Sequence, residues 1–211
     1  GSEMCIRDSP IRGQNNVQGA CDMGASPNQF SGYQNIDKPG VLEKFEKAWD
    51  TKLNPNIGTK ATDCFPKMIS GDIKGLFIFG EDPVRTDPNT HHVIKSLESL
   101  DFFAIDELFM TETAKLADVI LPGRSYAEKE GTFSNTERRV QRVRKAVEIE
   151  GDTKPDTWIF TEIMRRMGYP QPHLTPAQIM DEIASVTPSF AGISHERLDS
   201  EEAVSYTHLR A

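Results

Sequence analysis

The chain has 211 residues and a mass of 23.6 kDa, enough for one large domain or two small ones with a core that needs no staples. Hydrophobic residues make up 37% and charged residues 27% of it, an ordinary globular composition that excludes fibrous and low-complexity classes. The formal net charge of −8 argues against a phosphate-backbone binder, so no nucleic-acid partner is expected. No apolar run approaches the roughly 18 residues of a membrane helix, and no membrane insertion is expected.

The two ends stand apart from the rest. Residues 3–9 read EMCIRDS and residues 204–211 read VSYTHLRA, strings that reverse-complementary DNA can encode, as a sequencing adaptor read at both ends would. Residues 1–9 and 204–211 are therefore expected to be adaptor-derived tails and are set aside from fold reasoning. Cys5 falls in the first tail, and Cys21 and Cys64 are too few for a disulfide framework or a zinc site; they are expected as small buried thiols in a reducing compartment.

Residues 12–32, rich in Gly, Asn, Gln and Ser, show neither a 2.0 nor a 3.6 period and read as a long ordered loop. In VLEKFEKAW, Val41, Leu42, Phe45 and Trp49 fall at helical spacing after Pro39-Gly40. A short helix is expected over 62–69, and the glycine-bounded run GLFIF, 75–79, suits a buried strand. From there strand and helix alternate. NTHHVIKSLESL, 89–100, places Val93, Ile94, Leu97 and Leu100 on one helical face; a strand follows over 102–105, a short helix over 111–117, and a strand over 118–121 before Pro122-Gly123. Short connections between such elements predict a parallel sheet in an α/β fold. Ligands of such sheets sit beyond the carboxyl ends of the strands, which directs attention to 80–86, 106–111 and 122–125. Residues 138–148 suit a helix or a bulged strand equally. Pro155 opens a helix that ends near Arg165, Arg166 and Gly168, and another opens at Thr175-Pro176.

Strand-end carboxylates carry the first chemical signal. Asp82 or Asp106 at the tip of a parallel strand can accept two hydrogen bonds, from ribose hydroxyls or from guanine N–H groups. The plainer readings are that Asp82 forms a turn before Pro83 and that Asp106 caps the next segment. Neither a G-x-G-x-x-G nor a P-loop pattern is present. Arg12, heading a donor-rich loop, suits an anion or a solvated surface. The basic stretch 138–145 reads as a solvated face in an acidic chain. His91 and His92 are adjacent on a helix, point about 100° apart and make poor joint metal ligands.

Four stretches carry a family resemblance: RGQNNVQGACDMG at 12–24, GLFIFGEDPVRTDPN at 75–89, the run FMTETAKLADVILPGRSYAEKEGTFSNTERRVQRVRKAVE at 109–148, and PDTWIFTEIMRRMGYP at 155–170. Together they resemble molybdenum- or tungsten-dependent formate dehydrogenase catalytic subunits of the molybdopterin oxidoreductase superfamily. The first stretch is specific to the formate dehydrogenase branch, and the third is shared across the superfamily. The resemblance implies a Rossmann-like nucleotide-binding α/β region at 10–125, then a helical and irregular segment at 126–203 that packs on other parts of a larger enzyme. It implies oxidation of formate to carbon dioxide at a bis(molybdopterin guanine dinucleotide) centre holding Mo or W, with electrons passing to a 4Fe-4S cluster and on to electron-transfer subunits or domains. No metal ligand is expected within this fragment.

Residue by residue, Arg12 matches the arginine that orients the formate carboxylate, with Gln14 beside it. Gly80, Asp82 and Thr86 in GEDPVRT, Gly123 after the third strand and Asp156 before the late helix match contacts to the guanine dinucleotide. Asp106 stands where many relatives have glutamine, with Glu107 in place of their following aspartate. A cytoplasmic location is expected, the periplasm being the alternative. The competing readings are a nitrate reductase-like molybdopterin enzyme, or a non-catalytic homologue of the complex I iron-sulfur subunit; the retained Arg12 loop weighs against the latter.

Overall fold

A computed structural model describes residues 15–149, 151–200 and 204–205. Of the two expected tails, 1–9 and all but the first two residues of 204–211 lie outside the described residues. The chain divides into two compact units that interleave in sequence. One is built from residues up to 58, from 130–144 and from 174 onward; the other from 59–129 and 145–173.

The second of these holds a three-stranded parallel sheet. Its strands are β3 (Gly75–Phe79), β4 (Phe102–Glu107) and β5 (Val119–Pro122), hydrogen-bonded in that order. The alternation of a strand dictates its two faces. Leu76, Ile78, Phe103, Ile105 and Ile120 point to one side, where helices α3 (Ala61–Ile69) and α5 (Thr90–Glu98) supply Met68, Val93 and Leu97 to a buried core. Asn89 caps α5 by accepting from the His92 N–H at 3.3 Å. Phe77 and Phe79 point to the other side and meet Phe160 edge-on, at 5.7 and 5.2 Å between ring centroids. Phe160 belongs to α6 (Asp156–Arg166), which Pro155 precedes in extended conformation, as a start residue that lacks an N–H should.

The expected elements of this unit are present with small shifts. Strand β4 runs two residues beyond the expected end at 105, because Asp106 and Glu107 continue the parallel ladder opposite Leu121 and Pro122. The helix expected over 111–117 is only a 3₁₀ turn, Ala114–Leu116. A four-residue helix, α4 (Pro83–Thr86), follows β3 after Gly80, Glu81 and Asp82.

The other unit begins, among the described residues, with α1 (Val17–Asp22), inside the stretch expected to be loop. Its apolar spacing is absent because its buried face is polar: Gln18 and Asp22 are 4% and 0% exposed and bond to each other at 2.8 Å. Tyr33 Oη donates to the same Asp22 oxygen at 3.1 Å. The short antiparallel pair β1 (Gln29–Phe30) and β2 (Gln34–Asn35) follows, and then α2 (Val41–Trp49), whose Phe45 stacks on Phe30 at 4.3 Å. The stretch whose spacing suits helix and strand equally is extended: β7 (Arg139–Val143) pairs antiparallel with β6 (Gly131–Ser134) and with β8 (Val204–Ser205). Inward Val140 joins Met180 of α7 (Pro176–Val186), Phe190, Ile193 and Leu198 of α8 (His195–Ser200) in a second core. Arg142 and Arg144 of the basic stretch both reach Asp199, at 3.1 and 2.6 Å. Cys21 and Cys64 are half-buried rather than fully buried.

Candidate cofactor-binding site

Six of the sequence-predicted positions lie around the carboxyl edge of the parallel sheet, and the structure sorts them into two groups. Arg12 and Gln14 lie outside the described residues. Close behind them in the chain, Asn16 adopts the left-handed region (φ 58°), and its Oδ1 accepts from the Ser134 N–H at 3.0 Å. Gly19 allows this, since a Cβ there would sit 2.1 Å from Asn16 Oδ1.

The first group follows β3. Gly80 takes a left-handed φ of 63° and donates its N–H to the Asp106 carbonyl at 2.9 Å. Asp82 then stands at the N-cap of α4, but its carboxylate turns away from the helix. Its Oδ1 accepts from the Thr113 N–H at 3.1 Å and from Thr113 Oγ1 at 2.6 Å, and Thr113 Oγ1 in turn accepts from the Val84 N–H at 3.1 Å. Thr113 is fully buried. Asp82 is thus a bracket between the segments after β3 and β4. Thr86 is exposed, and its hydroxyl donates to the Asp82 carbonyl at 3.1 Å.

The second group converges on Gly123. A Cβ at Gly123 would lie 2.4 Å from Asp106 Oδ1, too close, and 3.4 Å from Asp156 Oδ1, an ordinary contact, so the missing side chain leaves room for the Asp106 carboxyl group. Asp156 is brought here by the segment before α6, which is laced to the end of β5. The Lys154 N–H donates to the Pro122 carbonyl at 3.2 Å, and Arg124 donates to the Thr153 carbonyl at 3.0 Å and to its hydroxyl at 3.3 Å. Asp156 Oδ2 forms an ion pair with Lys129.

Asp106 is the anomaly of the group. It is 2% exposed, and its Oδ2 is the one fully enclosed side-chain nitrogen or oxygen, among the described residues, without a hydrogen-bond partner. Buried polar atoms are nearly always bonded, so an orphan of this kind asks for a partner. Burial above all, and then the Asp156 charge, push the Asp106 carboxyl up to about 6 from its ordinary 3.8; Lys129 opposes this and Glu107 adds to it. The sequence points to Asp106, Gly123 and Asp156 separately; Lys129 and Thr113 are not pointed to at all, and Arg124 falls inside the stretch 122–125 without being singled out. These three act through partners 27, 31 and 29 residues away, and local spacing carries no trace of such pairs.

A family model described as molybdopterin oxidoreductase matches residues 6–166, more than half of the chain and all of the carboxyl-edge site. The chain belongs to the molybdopterin oxidoreductase family. Curated relatives include the F420-dependent formate dehydrogenase subunit alpha of Methanocaldococcus jannaschii, 50% identical over 195 residues, and the F420-dependent formate dehydrogenase 1 subunit alpha of Methanococcus maripaludis, 47% identical over 194 residues. Each alignment covers 90% of this chain and 28% of the relative. A putative formate dehydrogenase of Staphylococcus haemolyticus is 47% identical over 189 residues, which is 19% of its length. The chain therefore spans less than a third of the length of these relatives. Among solved structures, acetylene hydratase from Pelobacter acetylenicus superposes with a TM-score of 0.57 over 78% of this chain and 24% of its own, at 24% identity, which shows a shared fold.

Membership implies a molybdopterin cofactor carrying molybdenum or tungsten. The residues at the carboxyl edge fit the organic part of such a group: a carboxyl group with an oxygen that has no donor from the protein, beside a glycine that places no side chain against its other oxygen.

Proposed function

We propose that this chain is part of a formate dehydrogenase catalytic subunit and carries part of the cradle for a bis(molybdopterin guanine dinucleotide). The observation that supports it best is 47–50% identity, across 90% of the chain, to proteins described as formate dehydrogenase alpha subunits. When bound, the cofactor supplies the two-electron acceptor that takes formate (HCOO⁻) to carbon dioxide and a proton, with the electrons leaving by a 4Fe-4S cluster and electron-transfer subunits or domains. Nucleic-acid and membrane contacts form no part of this reading, and the compartment proposed is the cytoplasm.

The work of this chain's own residues is to bind and to orient. In our reading Arg12 holds the formate carboxylate through its fixed fork of donors, with Gln14 beside it, so that the reacting C–H bond is presented in one direction. Asp106, Gly123 and Asp156 take the guanine dinucleotide, with Gly80 and Thr86 shaping the neighbouring edge. Asp82 contributes by fixing that edge through Thr113. The nucleotide-binding region is proposed to span 10–125 and the remainder, 126–203, to pack within the larger subunit.

The test is Arg12→Lys in a full-length subunit containing this segment. A lysine keeps the charge and loses the two-pronged geometry, so formate turnover should fall by about 100-fold while molybdopterin content stays the same. Unchanged turnover overturns the role given to Arg12.

A further inference from the structure

We propose that Arg142, His195 and Asp199 form a proton-released clasp: a neutral imidazole and a carboxylate on one face of α8 grip the Arg142 guanidinium of β7, and a proton on His195 opens the first of the two grips. The clasp lies within one of the two compact units and owes nothing to the cofactor or formate reading.

Arg142 reaches in from β7 with 11% of its side chain exposed. Its Nη1 donates to the Gly131 carbonyl of β6 at 3.3 Å and to His195 Nε2 at 3.4 Å, and its Nε donates to Asp199 Oδ1 at 3.1 Å. His195 and Asp199 are four residues apart on α8, so they share one helical face and close on the same guanidinium. The chemistry of the donor fixes the proton on the ring. A guanidinium only donates, and it keeps its charge in a protein. Nε2 must therefore present its lone pair, which puts the proton of the neutral ring on Nδ1. A second proton would go to Nε2 itself and set one N–H against another, between two cations. The contact thus exists with a neutral His195 and with no other form. Acid acts on the imidazole, because Arg142 cannot give way.

The surrounding charges decide the order of release. His195 is 9% exposed. Arg142 faces it from β7, Asp181 from α7, Glu130 from the segment before β6 and Asp199 from its own helix. Burial first and Arg142 second hold its midpoint below the ordinary 6.5, against the pull of the three carboxylates. The unfolded chain therefore takes up this proton more readily than the folded one. The contribution of His195 to stability is full above about pH 6.5 and is lost as pH falls through the folded-state midpoint. Asp199 behaves in the opposite way: its hydrogen bond to Arg142 holds its carboxyl below the usual carboxylate range, with Arg144 adding to this. It stays charged while His195 protonates, so acid frees the first turn of α8 and leaves the second tied.

The experiment uses the 211-residue chain with nitrogen-labelled histidine, followed by NMR from about pH 4.5 to about pH 8. The His195 ring should carry its proton on Nδ1 at about pH 8 and should titrate with a midpoint below 6.5. The reporter of the first turn is the Leu198 N–H, which donates to the Ser194 carbonyl at 3.0 Å. Its hydrogen exchange, corrected for the intrinsic effect of pH, should lose about tenfold in protection across that range, as the loss of one hydrogen bond involving a charged group implies. In His195→Gln the side-chain carbonyl can accept from Arg142 and does not titrate, so Leu198 protection should be the same at both ends of the range. In Arg142→Met the ring loses its donor and its cationic neighbour, so the preference for Nδ1 should vanish and the midpoint should rise. The proposal is overturned by a ring protonated on Nε2 at about pH 8, by a midpoint at or above 6.5, or by an equal loss of Leu198 protection in the unaltered chain and in His195→Gln. The first two are read on the unaltered chain, so they decide the matter even where a variant fails to fold.

Discussion

Asp82 and Asp106 occupy matching places, just past and at the tips of adjacent parallel strands, and their carboxyl groups meet opposite fates. Asp82 receives two hydrogen bonds from a single buried threonine, while Asp106, the more deeply enclosed of the two, has an oxygen that receives none. The difference lies in what each neighbouring loop delivers. The segment after β4 folds back to bring Thr113 over Asp82, whereas Asp106 meets Gly123 just after β5 and Asp156 at the start of α6, a residue without a side chain and a second carboxylate. A strand-end aspartate is thus a bracket where donors arrive and keeps an unpartnered oxygen where they are withheld. The contrast can be broken by substituting each member in turn.

The largest effect is expected at Asp82. Asp82→Ala leaves the N–H and the hydroxyl of fully buried Thr113 without their acceptor. At about 1–3 kcal/mol for each buried group left unsatisfied, and with some repair by water at the half-exposed aspartate site, the loss should be about 2–4 kcal/mol. Urea unfolding of the 211-residue chain should show it as a lower midpoint with an unchanged slope. An unchanged midpoint would mean that the bracket contributes nothing and that the two aspartates do not differ in kind.

At Asp106 the same measurement should move the other way. Its folded-state midpoint, about 6, lies above the ordinary 3.8, so ionisation is harder in the folded chain than in the unfolded one. The contribution of this one group to stability is therefore fullest below about pH 4, declines as pH rises toward 6, and stays at the lower level above that. The difference of about two pH units corresponds to about 2–3 kcal/mol. Asp106→Asn removes the penalty: it should raise the unfolding midpoint at about pH 8, well above the folded-state midpoint, and leave it unraised at about pH 4. A variant less stable than the parent chain at both pH values would show that the carboxyl group is satisfied after all.

Much of this was legible in the sequence, and what was not has physical causes. The parallel α/β sheet could be read because β3, β4 and β5 are short apolar runs with helical spacing between them, and their carboxyl ends marked where a site belongs. The helix α1 was hidden because Gln18 and Asp22 bury polar side chains in place of apolar ones, removing the periodicity that reveals a helix. The strand β7 was ambiguous because Val140 and Val143 are three apart, a spacing that suits a helix, and its pairing with β6 depends on a turn through Arg138, a non-glycine residue with φ 62°. Within the site, Asp106, Gly123 and Asp156 could be named one at a time. Their convergence could not, since it depends on Arg124 and Lys154 tying the start of α6 to the end of β5. Nor could the different states of Asp82 and Asp106, which are set by partners supplied from distant loops.

That convergence is itself testable at Gly123. Its conformation does not require glycine; its surroundings do, because a Cβ would lie 2.4 Å from Asp106 Oδ1, closer than side-chain atoms approach. Gly123→Ala must push the Asp106 carboxyl group or the backbone aside, at about 1–2 kcal/mol as overpacking costs go. If the carboxyl group is the obstacle, the cost should shrink once that group is removed, so Gly123→Ala should be nearly neutral when made in an Asp106→Ala background. A double-mutant cycle by urea unfolding measures this as a coupling of about 1 kcal/mol. Additive costs would place the obstruction in the backbone rather than in Asp106. The glycine would then serve chain packing alone.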